Sequence, residues 1–260
     1  MIFDSHAHYD DSAFDADRGE LLAQMAENGI HRIVNVGASI RGVEASQALA
    51  EQYPFIYAAV GVHPDEVGHM DEQKLLWMYD LCRKPKTVAV GEIGLDYYWD
   101  KEAHDFQKLW FRKQLRMSKD TQLPINVHSR DAAQDTLDII KEEHAGTTGG
   151  VIHCFSSSPE IAMEYVKMGY FIGVGGVVTF KNSKVLKAVV ETVPLEHIVV
   201  ETDCPYLAPT PNRGKRNSSL YLPLVVDEIA RIKQIDREET EAILYENTLR
   251  LYPKVRLADV

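Results

Sequence analysis

The sequence has few cysteines and no long apolar run. Its three cysteines, Cys82, Cys154 and Cys204, are an odd number, lie far apart and include no C-x-x-C pair, so neither a disulfide framework nor a zinc ribbon is predicted. No stretch approaches the roughly 18 uninterrupted apolar residues of a membrane span, and the first ten residues lack the basic and then apolar regions of a secretion signal. These absences predict a cytoplasmic protein with reduced thiols and no membrane partner.

The sequence also has fewer basic than acidic residues. The 260 residues include 28 Lys and Arg against 39 Asp and Glu, which gives a formal net charge of −11. This balance argues against non-specific binding of nucleic acid through a broad basic surface. A partner that carries phosphate therefore needs local positive charge, supplied by a loop or by metal ions.

The chain has no recognisable linker, internal repeat or low-complexity segment. Its length suits either two small domains or one α/β barrel of about 250 residues, and without a linker we predict a single domain over residues 1–260. Runs such as VIHC and IVVET are nearly continuous in apolar residues, which is typical of parallel strands buried on both faces. Eight such strands are predicted, at Ile2–His6, His31–Val36, Ile56–Gly61, Thr87–Glu92, Pro124–His128, Val151–His153, Tyr170–Val174 and Ile198–Thr202.

Amphipathic segments of helical period separate these strands. Eight alternating units imply an α/β protein with a (β/α)8 TIM barrel; a doubly wound open sheet is the alternative, but no Gly-x-Gly-x-x-Gly follows the first strand. A final segment, Arg237–Tyr252, is predicted as an extra C-terminal helix. The other predicted helices are Arg18–Asn28, Arg41–Gln52, Glu72–Arg83, Glu102–Asp120, Asp131–His144, Pro159–Met168, Ser183–Val193 and Leu222–Lys233.

Most of the polar residues that end these strands are potential metal ligands. A single histidine at a strand end is more often structural than functional, but in a barrel all eight carboxyl ends meet at one mouth. The whole set therefore predicts a metal centre there. The residues are His6 and His8 after strand one, His63 after strand three, Glu92, His128 and His153 after strands four, five and six, and Glu201 and Asp203 after strand eight.

The number of ligands favours two ions. Six protein ligands are too many for one zinc with an open position, but they suit two ions that share a carboxylate and a water. Imidazoles favour Zn, Mn, Fe or Co over Mg, although phosphate oxygens of a substrate could still admit Mg. Glu201 either orients a histidine or caps a backbone amide. The predicted partition makes Glu92 the bridge and gives His6, His8 and Asp203 to one ion and His128 and His153 to the other.

Six stretches carry a family resemblance. D-S-H-A-H, G-V-H-P, G-E-I-G-L-D-Y, H-S-R-D, H-C-F and E-T-D-C-P-Y-L-A-P occur in this order over nearly the whole chain and resemble the TatD-type metal-dependent deoxyribonucleases. The resemblance implies a TIM barrel, a two-metal site and hydrolysis of DNA phosphodiesters, in several members from 3′ to 5′. The wider amidohydrolases often use a carbamylated lysine as the bridge, a place that Glu92 takes here. Position by position, the resemblance implies the ligands His6, His8, Glu92, His128, His153 and Asp203.

These observations predict a two-metal phosphodiesterase that acts on single-stranded 3′ ends of DNA. Glu92 and Asp203 are the catalytic candidates, with Asp203 either accepting a proton or serving only as a ligand. An amide or ester hydrolase, including one that cleaves the aminoacyl ester of a tRNA end, is the enzymatic alternative. A metal-binding interaction module is the non-enzymatic alternative. The sequence does not fix the oligomeric state, and a monomer is compatible with it.

Candidate substrate contacts surround the predicted mouth. His63 is expected to contact substrate. Arg130 is expected either to bind a phosphate with two hydrogen bonds or to pair with Asp131 or another carboxylate at a helix start. A loop after strand eight brings Arg213, with Lys215 and Arg216, to the mouth as a local basic patch or as an ordinary solvated loop. Three aromatic residues follow strand four; at least two are expected to pack as a lid, while one could stack on an unpaired base. They are Tyr97, Tyr98 and Trp99.

Overall fold

The structure is a computed structural model that describes residues 1–99, 103–143 and 148–255. Eight parallel strands form one sheet in the order of the sequence, from β1 to β8. The (β/α)8 TIM barrel predicted from the sequence is thereby confirmed. The strands are β1 Ile2–Ala7, β2 Ile30–Val36, β3 Ile56–Val60, β4 Thr87–Asp96, β5 Ile125–Arg130, β6 Gly150–Ile152, β7 Phe171–Val174 and β8 Ile198–Val200.

The barrel closes between its first and last strands just beyond the end of β8. The backbone amides of Thr202 and Asp203 donate to the carbonyl of His6 at 3.3 and 3.0 Å, and the amide of His8 donates to the carbonyl of Cys204 at 3.0 Å. The hydrogen bonds that close the barrel therefore involve three candidate ligands, His6, His8 and Asp203. Both edges of the sheet are paired, and the side chains of the two strands are fixed relative to each other.

Helices follow the strands as predicted, with shifted ends. The first helix ends at Ala23 rather than at Asn28; Ala26–Asn28 forms a separate 3-10 turn that ends at Gly29 with φ +78°. The predicted start at Glu102 and the predicted end at His144 lie outside the described residues. The helices are α1 Arg18–Ala23, α2 Ile40–Gln52, α3 Glu72–Cys82, α4 His104–Thr121, α5 Ala133–Glu143, α6 Pro159–Lys167, α7 Lys184–Thr192, α8 Leu222–Lys233 and α9 Arg237–Leu251.

The extra C-terminal helix, α9, closes the barrel interior below the mouth. Tyr245 lies within it and Tyr252 directly follows it, and both rings contact Phe3 of β1 with centroids 6.2 and 6.1 Å apart. The Tyr252 hydroxyl donates to the carbonyl of Ser5 at 2.9 Å and accepts from the amide of Asn126 at 3.1 Å. None of the described helices is both long and apolar enough to cross a membrane.

Strand β4 is longer than the sequence predicted, because Gly94 allows it to continue past Glu92. Gly94 has φ +148°, and a Cβ at this position would lie 1.9 Å from the carbonyl oxygen of His128. Only glycine lets the two backbones approach so closely. The strand then pairs with β5 as far as Asp96, which lies opposite Arg130. This extension brings a further carboxylate to the mouth.

Candidate metal centre

All six predicted ligands meet at the carboxyl end of the barrel. The first group contains His6 and His8, whose Nε2 atoms are 3.0 Å apart. Glu92 Oε2 lies 3.7 Å from His6 Nε2 and 3.5 Å from His8 Nε2. Asp203 Oδ1 lies 3.7 and 3.3 Å from the same two atoms. Four potential ligand atoms therefore surround one position.

The second group uses the other oxygen of Glu92. Glu92 Oε1 lies 3.0 Å from His128 Nδ1 and 2.8 Å from His153 Nε2. These two nitrogens are 3.2 Å apart. The two oxygens of one buried carboxylate thus face separate sets of histidines, which is the arrangement that a bridging ligand requires.

The proton positions on His6 and His8 indicate that this group fits a metal ion. His6 Nδ1 lies 2.9 Å from Asn126 Oδ1, and His8 Nδ1 lies 2.8 Å from the carbonyl of Val36. Both partners can only accept, so each Nδ1 carries a proton and the two Nε2 atoms face each other, a position where either a proton on His8 or a metal ion supplies positive charge. When both rings are neutral, a metal ion between the two Nε2 lone pairs removes their repulsion. Hydrogen bonding of the distal nitrogen is also what orients metal-binding histidines.

The electrostatics of the centre favour bound positive charge. Burial lowers the pKa of His8, but its hydrogen bond to Asp203 and the charge of Glu92 raise it more, to about 10. Burial raises the pKa of Glu92, yet the nearby histidines, His153 and His63 first, hold it well below its usual range. Asp203 behaves in the same way, with its pKa lowered mainly through His8. Both carboxylates are therefore ionised at neutral pH.

Glu201 does not share the position of Asp203, although the two are separated by one residue. Strand β8 ends at Val200, and Asp203 has φ +53°, so the alternation of a regular strand is lost. Glu201 Oε1 accepts from the backbone amide of Cys154 and lies 3.9 Å from His153 Nδ1, too far for a hydrogen bond. Of the two roles that the sequence left open, the structure shows the amide contact.

Sequence reasoning missed Asp96, which orients His128. Asp96 Oδ2 lies 2.9 Å from His128 Nε2, on the side of the ring opposite Glu92. Asp96 Oδ1 accepts from the amides of Tyr98 and Trp99 at 2.9 and 3.1 Å. Its spacing of four residues from Glu92 places both side chains on one face of an extended strand. That signal was available, but the predicted strand ended at Glu92.

We expect Asp96→Ala to weaken metal binding by roughly 10–100-fold, because loss of a partner that orients a ligand has this effect. Isothermal titration of the metal-free protein with Zn²⁺ or Mn²⁺ measures the change. Asp120→Ala is the matched control, since the exposed Asp120 carboxylate contacts Tyr79 far from the centre. Unchanged affinity in Asp96→Ala, with the fold retained, would show that Asp96 has no part in holding His128.

His63 lies at the edge of the second group. Its Nε2 is 3.8 Å from Glu92 Oε1, and its ring contacts that of His128 edge-on at 4.3 Å. Burial lowers the pKa of His63 to about 4, so the ring is neutral. Its Nδ1 accepts from the amide of Asp65 at 3.2 Å, which leaves the proton on Nε2. His63 therefore presents a hydrogen-bond donor toward the centre.

A pocket of about 550 Å³, which we call the central pocket, opens above these groups. Arg130 lines it and stacks on Tyr98, 3.9 Å from the ring centroid, and the contacts of the described residues include no ion pair between Arg130 and Asp131. Tyr98 and Trp99 are 47% and 68% exposed and contact each other edge-on at 4.8 Å. The prediction that at least two of the three aromatics pack as a lid is therefore wrong. Only Tyr97 is packed, with its ring stacked on His104 at 3.6 Å.

The basic loop after β8 offers fewer free positive charges to a phosphate than the sequence suggested. Arg216 binds the carboxylate of Asp17 with two hydrogen bonds of 2.6 and 2.7 Å, so its charge is neutralised. Arg213 is exposed and stacks on Phe180 at 4.4 Å from the centroid. It does not line the central pocket. Of the predicted patch, Arg213 and the exposed Lys215 form no ion pair with any residue that the structure describes.

A TIM barrel with clustered histidines and carboxylates at the carboxyl ends of its strands has the architecture of a metal-dependent hydrolase. The model of the family described as TatD related DNase matches residues 3–253. The chain belongs to this family. Its resemblance to TatD-type enzymes, first seen in six short stretches, is thereby confirmed over nearly the whole sequence.

Individual relatives agree with this assignment. The uncharacterized metal-dependent hydrolase YabD of Bacillus subtilis is 43% identical over 97% of this chain and 99% of its own length. The uncharacterized metal-dependent hydrolase YcfH of Escherichia coli K12 is 33% identical over 97% and 96%. The crystal structure of YjjV, a TatD homologue from E. coli K12, superposes with a TM-score of 0.92 at 30% identity and covers 97% of this chain and 98% of that one. The protein is a metal-dependent hydrolase.

Proposed function

We propose that the protein is a two-metal phosphodiesterase that removes nucleotides from single-stranded 3′ ends of DNA. The observation that supports the proposal is the orientation of Glu92, whose two carboxylate oxygens face separate groups of ligand atoms. Divalent ions held by these groups would activate a water and neutralise phosphate oxygens. Zn, Mn and Mg are the candidate ions, since the histidines favour the first two and phosphate oxygens suit the third.

The residues around the centre have separate roles in this reaction. Asp203 turns Oδ1 toward His6 and His8, which leaves its second oxygen to accept a proton from the attacking water. His63 donates its Nε2 proton to a phosphate oxygen. Arg130, on the rim of the central pocket, pairs with the next phosphate along the strand. These roles use the histidine and arginine contacts predicted from the sequence.

The shape of the mouth favours an unpaired end. Five of the six predicted ligands, all except His6, line the central pocket, so a phosphate within a duplex reaches them only after unpairing, which costs a few kcal/mol. The exposed rings of Tyr98 and Trp99 stand on the rim beside Arg130. Aromatic rings paired with arginine bind single strands by stacking on successive bases. An unpaired strand therefore meets both a stacking surface and a positive charge on its way to the centre.

We expect linear single-stranded DNA to be degraded much faster than circular single-stranded DNA of equal length, because a circle offers no end. Gel analysis of the two substrates under the same metal conditions measures the difference. A linear duplex with blunt ends should be degraded at an intermediate rate, limited by fraying. Rapid cutting of circles would contradict the exonuclease part of the proposal while leaving the phosphodiesterase intact.

We expect Arg130→Ala to weaken binding of single-stranded DNA and to reduce the slope of log affinity against log salt by roughly 0.7, the value for one phosphate contact on a single strand. Fluorescence anisotropy over a salt series measures both. Arg216→Ala is the matched control, since Arg216 is already paired with Asp17, and its salt slope should match that of the unmodified protein. An equal change in both variants would show that Arg130 makes no specific phosphate contact.

The alternative reactions are tested on the same sample. Two ions and a neutral histidine donor would stabilise the oxyanion of an amide or ester as well as that of a phosphodiester, including the aminoacyl ester of a tRNA end. Metal analysis followed by nuclease, esterase and amidase assays separates these substrates. Amide hydrolysis without DNA hydrolysis would overturn the proposal. A non-catalytic metal-binding module is disfavoured by the metal-dependent hydrolases among the relatives; the cytoplasmic location and the monomer stay predictions.

A further inference from the structure

A second cavity opens from the side of the central pocket, and we call it the side chamber. It has a volume of about 230 Å³ and lies between the residues that follow β6, β7 and β8 and the start of α7. Because Asp203 lines both cavities, a group bound in the side chamber lies directly beside the metal centre. The residues shared by the two cavities are Cys154, Ser156, Val177, Asp203 and Leu207.

The charges that line the two cavities differ. The central pocket contains Arg130, four histidines and four carboxyls, which include candidate metal ligands, whereas no Lys, Arg or His of the described residues lines the side chamber. Asp203 lines both cavities, so what sets the side chamber apart for a phosphate is that it offers neither a basic side chain nor the histidines that could hold a metal ion. Phosphate therefore fits the central pocket, and the side chamber fits an uncharged part of the same substrate.

The walls of the side chamber suit a flat ring. They include the apolar side chains of Phe155, Leu186 and Leu207, and the backbone of Gly175 and Gly176 adds surface that no side chain covers. The volume is about one and a half times the roughly 150 Å³ of an apolar cavity that accepts benzene. A ring somewhat larger than benzene therefore fits the space.

Two polar side chains among the lining residues, Asn182 and Ser156, give such a ring hydrogen-bonding partners. Both are exposed, and they offer an amide and a hydroxyl. An amide both donates and accepts, as does a hydroxyl. The edge of every nucleobase carries donors and acceptors, so the side chamber combines apolar contacts for the faces of a base with polar contacts for its edge.

We propose that the side chamber binds the base of the nucleotide whose phosphate lies at the metal centre. This proposal rests on the proposed DNA hydrolysis and identifies the part of the substrate that the enzyme holds during cleavage. The base enters beside Asp203, its phosphate stays in the central pocket with the histidines, and the rest of the strand passes over the rim toward Arg130. The terminal base thereby fixes the position of the scissile bond.

Val185→Trp fills the side chamber without disturbing the core, because Val185 lines it and is 55% exposed. The control is Leu76→Trp, which places the same ring on an exposed site of α3 away from both cavities. Two single-stranded oligonucleotides serve as substrates, one normal and one whose 3′-terminal nucleotide has a tetrahydrofuran in place of the base-bearing sugar. Release of the terminal nucleotide gives kcat/KM for each.

We expect the unmodified protein and Leu76→Trp to favour the normal substrate by about tenfold or more, as for the loss of one stacked base. Val185→Trp should lower kcat/KM on the normal substrate to the level of the baseless one and leave the baseless one unchanged. Equal rates of the unmodified protein on both substrates would show that the side chamber does not bind the terminal base, while leaving DNA hydrolysis intact. An equal loss on both substrates in Val185→Trp would show the same.

A binding measurement separates this proposal from the proposed function. Saturation-transfer NMR with deoxyadenosine and thymidine, which carry no phosphate, reports binding of a base without any reaction. If the protein hydrolyses neither oligonucleotide, the proposed function fails. Nucleoside binding that persists in Leu76→Trp and is lost in Val185→Trp then still supports the side chamber, and absence of nucleoside binding to the unmodified protein overturns it.

Discussion

Replacing Glu92 with Ala is expected to remove bound metal and almost all hydrolytic activity while leaving the barrel folded. The two oxygens of Glu92 face different groups of histidines at 2.8 to 3.7 Å, so in the proposed two-metal centre one carboxylate would bind two cations and screen their repulsion. Without it, the ions would repel each other with only neutral imidazoles and Asp203 nearby. We expect at least one ion to be lost and activity to fall on the order of 10³-fold, beyond the roughly 10–100-fold effect of residues that only orient ligands.

The measurement is metal content per chain by plasma mass spectrometry, with activity on the same samples. His153→Ala is the informative comparison, because its ion would keep Glu92 and His128 as ligands. It should therefore lose less metal than Glu92→Ala. Circular dichroism and thermal unfolding check that both variants keep the barrel. If Glu92→Ala retains two ions and near-normal turnover, the two-metal centre is wrong and a single-ion site on His6, His8 and Asp203 replaces it.

Replacing Asp203 with Asn is expected to lower kcat by about 10²–10⁴-fold, the usual contribution of a positioned general base. Asn keeps an oxygen toward His6 and His8, which lie 3.7 and 3.3 Å from Asp203 Oδ1, but it cannot accept a proton at neutral pH. Metal content distinguishes the two roles that the sequence left open. Loss of kcat with metal retained supports proton transfer, whereas loss of metal shows that Asp203 serves only as a ligand.

Asp10→Asn provides the matched control for Asp203→Asn. Asp10 also lines the central pocket, and its carboxylate accepts from the Asn35 amide at 2.8 Å, so this variant removes a nearby negative charge without touching the ligands. We expect a much smaller loss of kcat. A comparable loss in both variants would mean that the net charge of the pocket, rather than a proton acceptor at position 203, controls the rate.

Much of the metal centre was predictable because its residues follow strands that the sequence marks clearly. His6, Glu92, His128 and His153 each end a predicted strand, and a parallel barrel has only one place where such ends can meet. Asp96 was not predicted, because its strand continues past Glu92 through a close backbone contact at Gly94. No local pattern of apolar residues reports a contact between backbones of two strands.

The surroundings of the centre were harder to predict than its ligands. Arg216 was predicted to join a basic patch, but it pairs with Asp17, a residue nearly 200 positions earlier in the chain. At least two of the three aromatic residues after strand four were expected to pack as a lid, yet Tyr98 and Trp99 are exposed beside Arg130. Such pairings depend on which loops become neighbours around the mouth, and local sequence carries little information about that.

The sequence by itself determined the barrel and its six candidate ligands, because alternation of buried strands and amphipathic helices and the residue type at each strand end are local properties. Only the tertiary structure decided how Glu92 divides its oxygens between two groups, which partner fixes each imidazole, and how Glu201 and Asp203 separate after β8. It also created the side chamber. These features arise from distances between residues far apart in the chain, and such distances exist only once the barrel has closed.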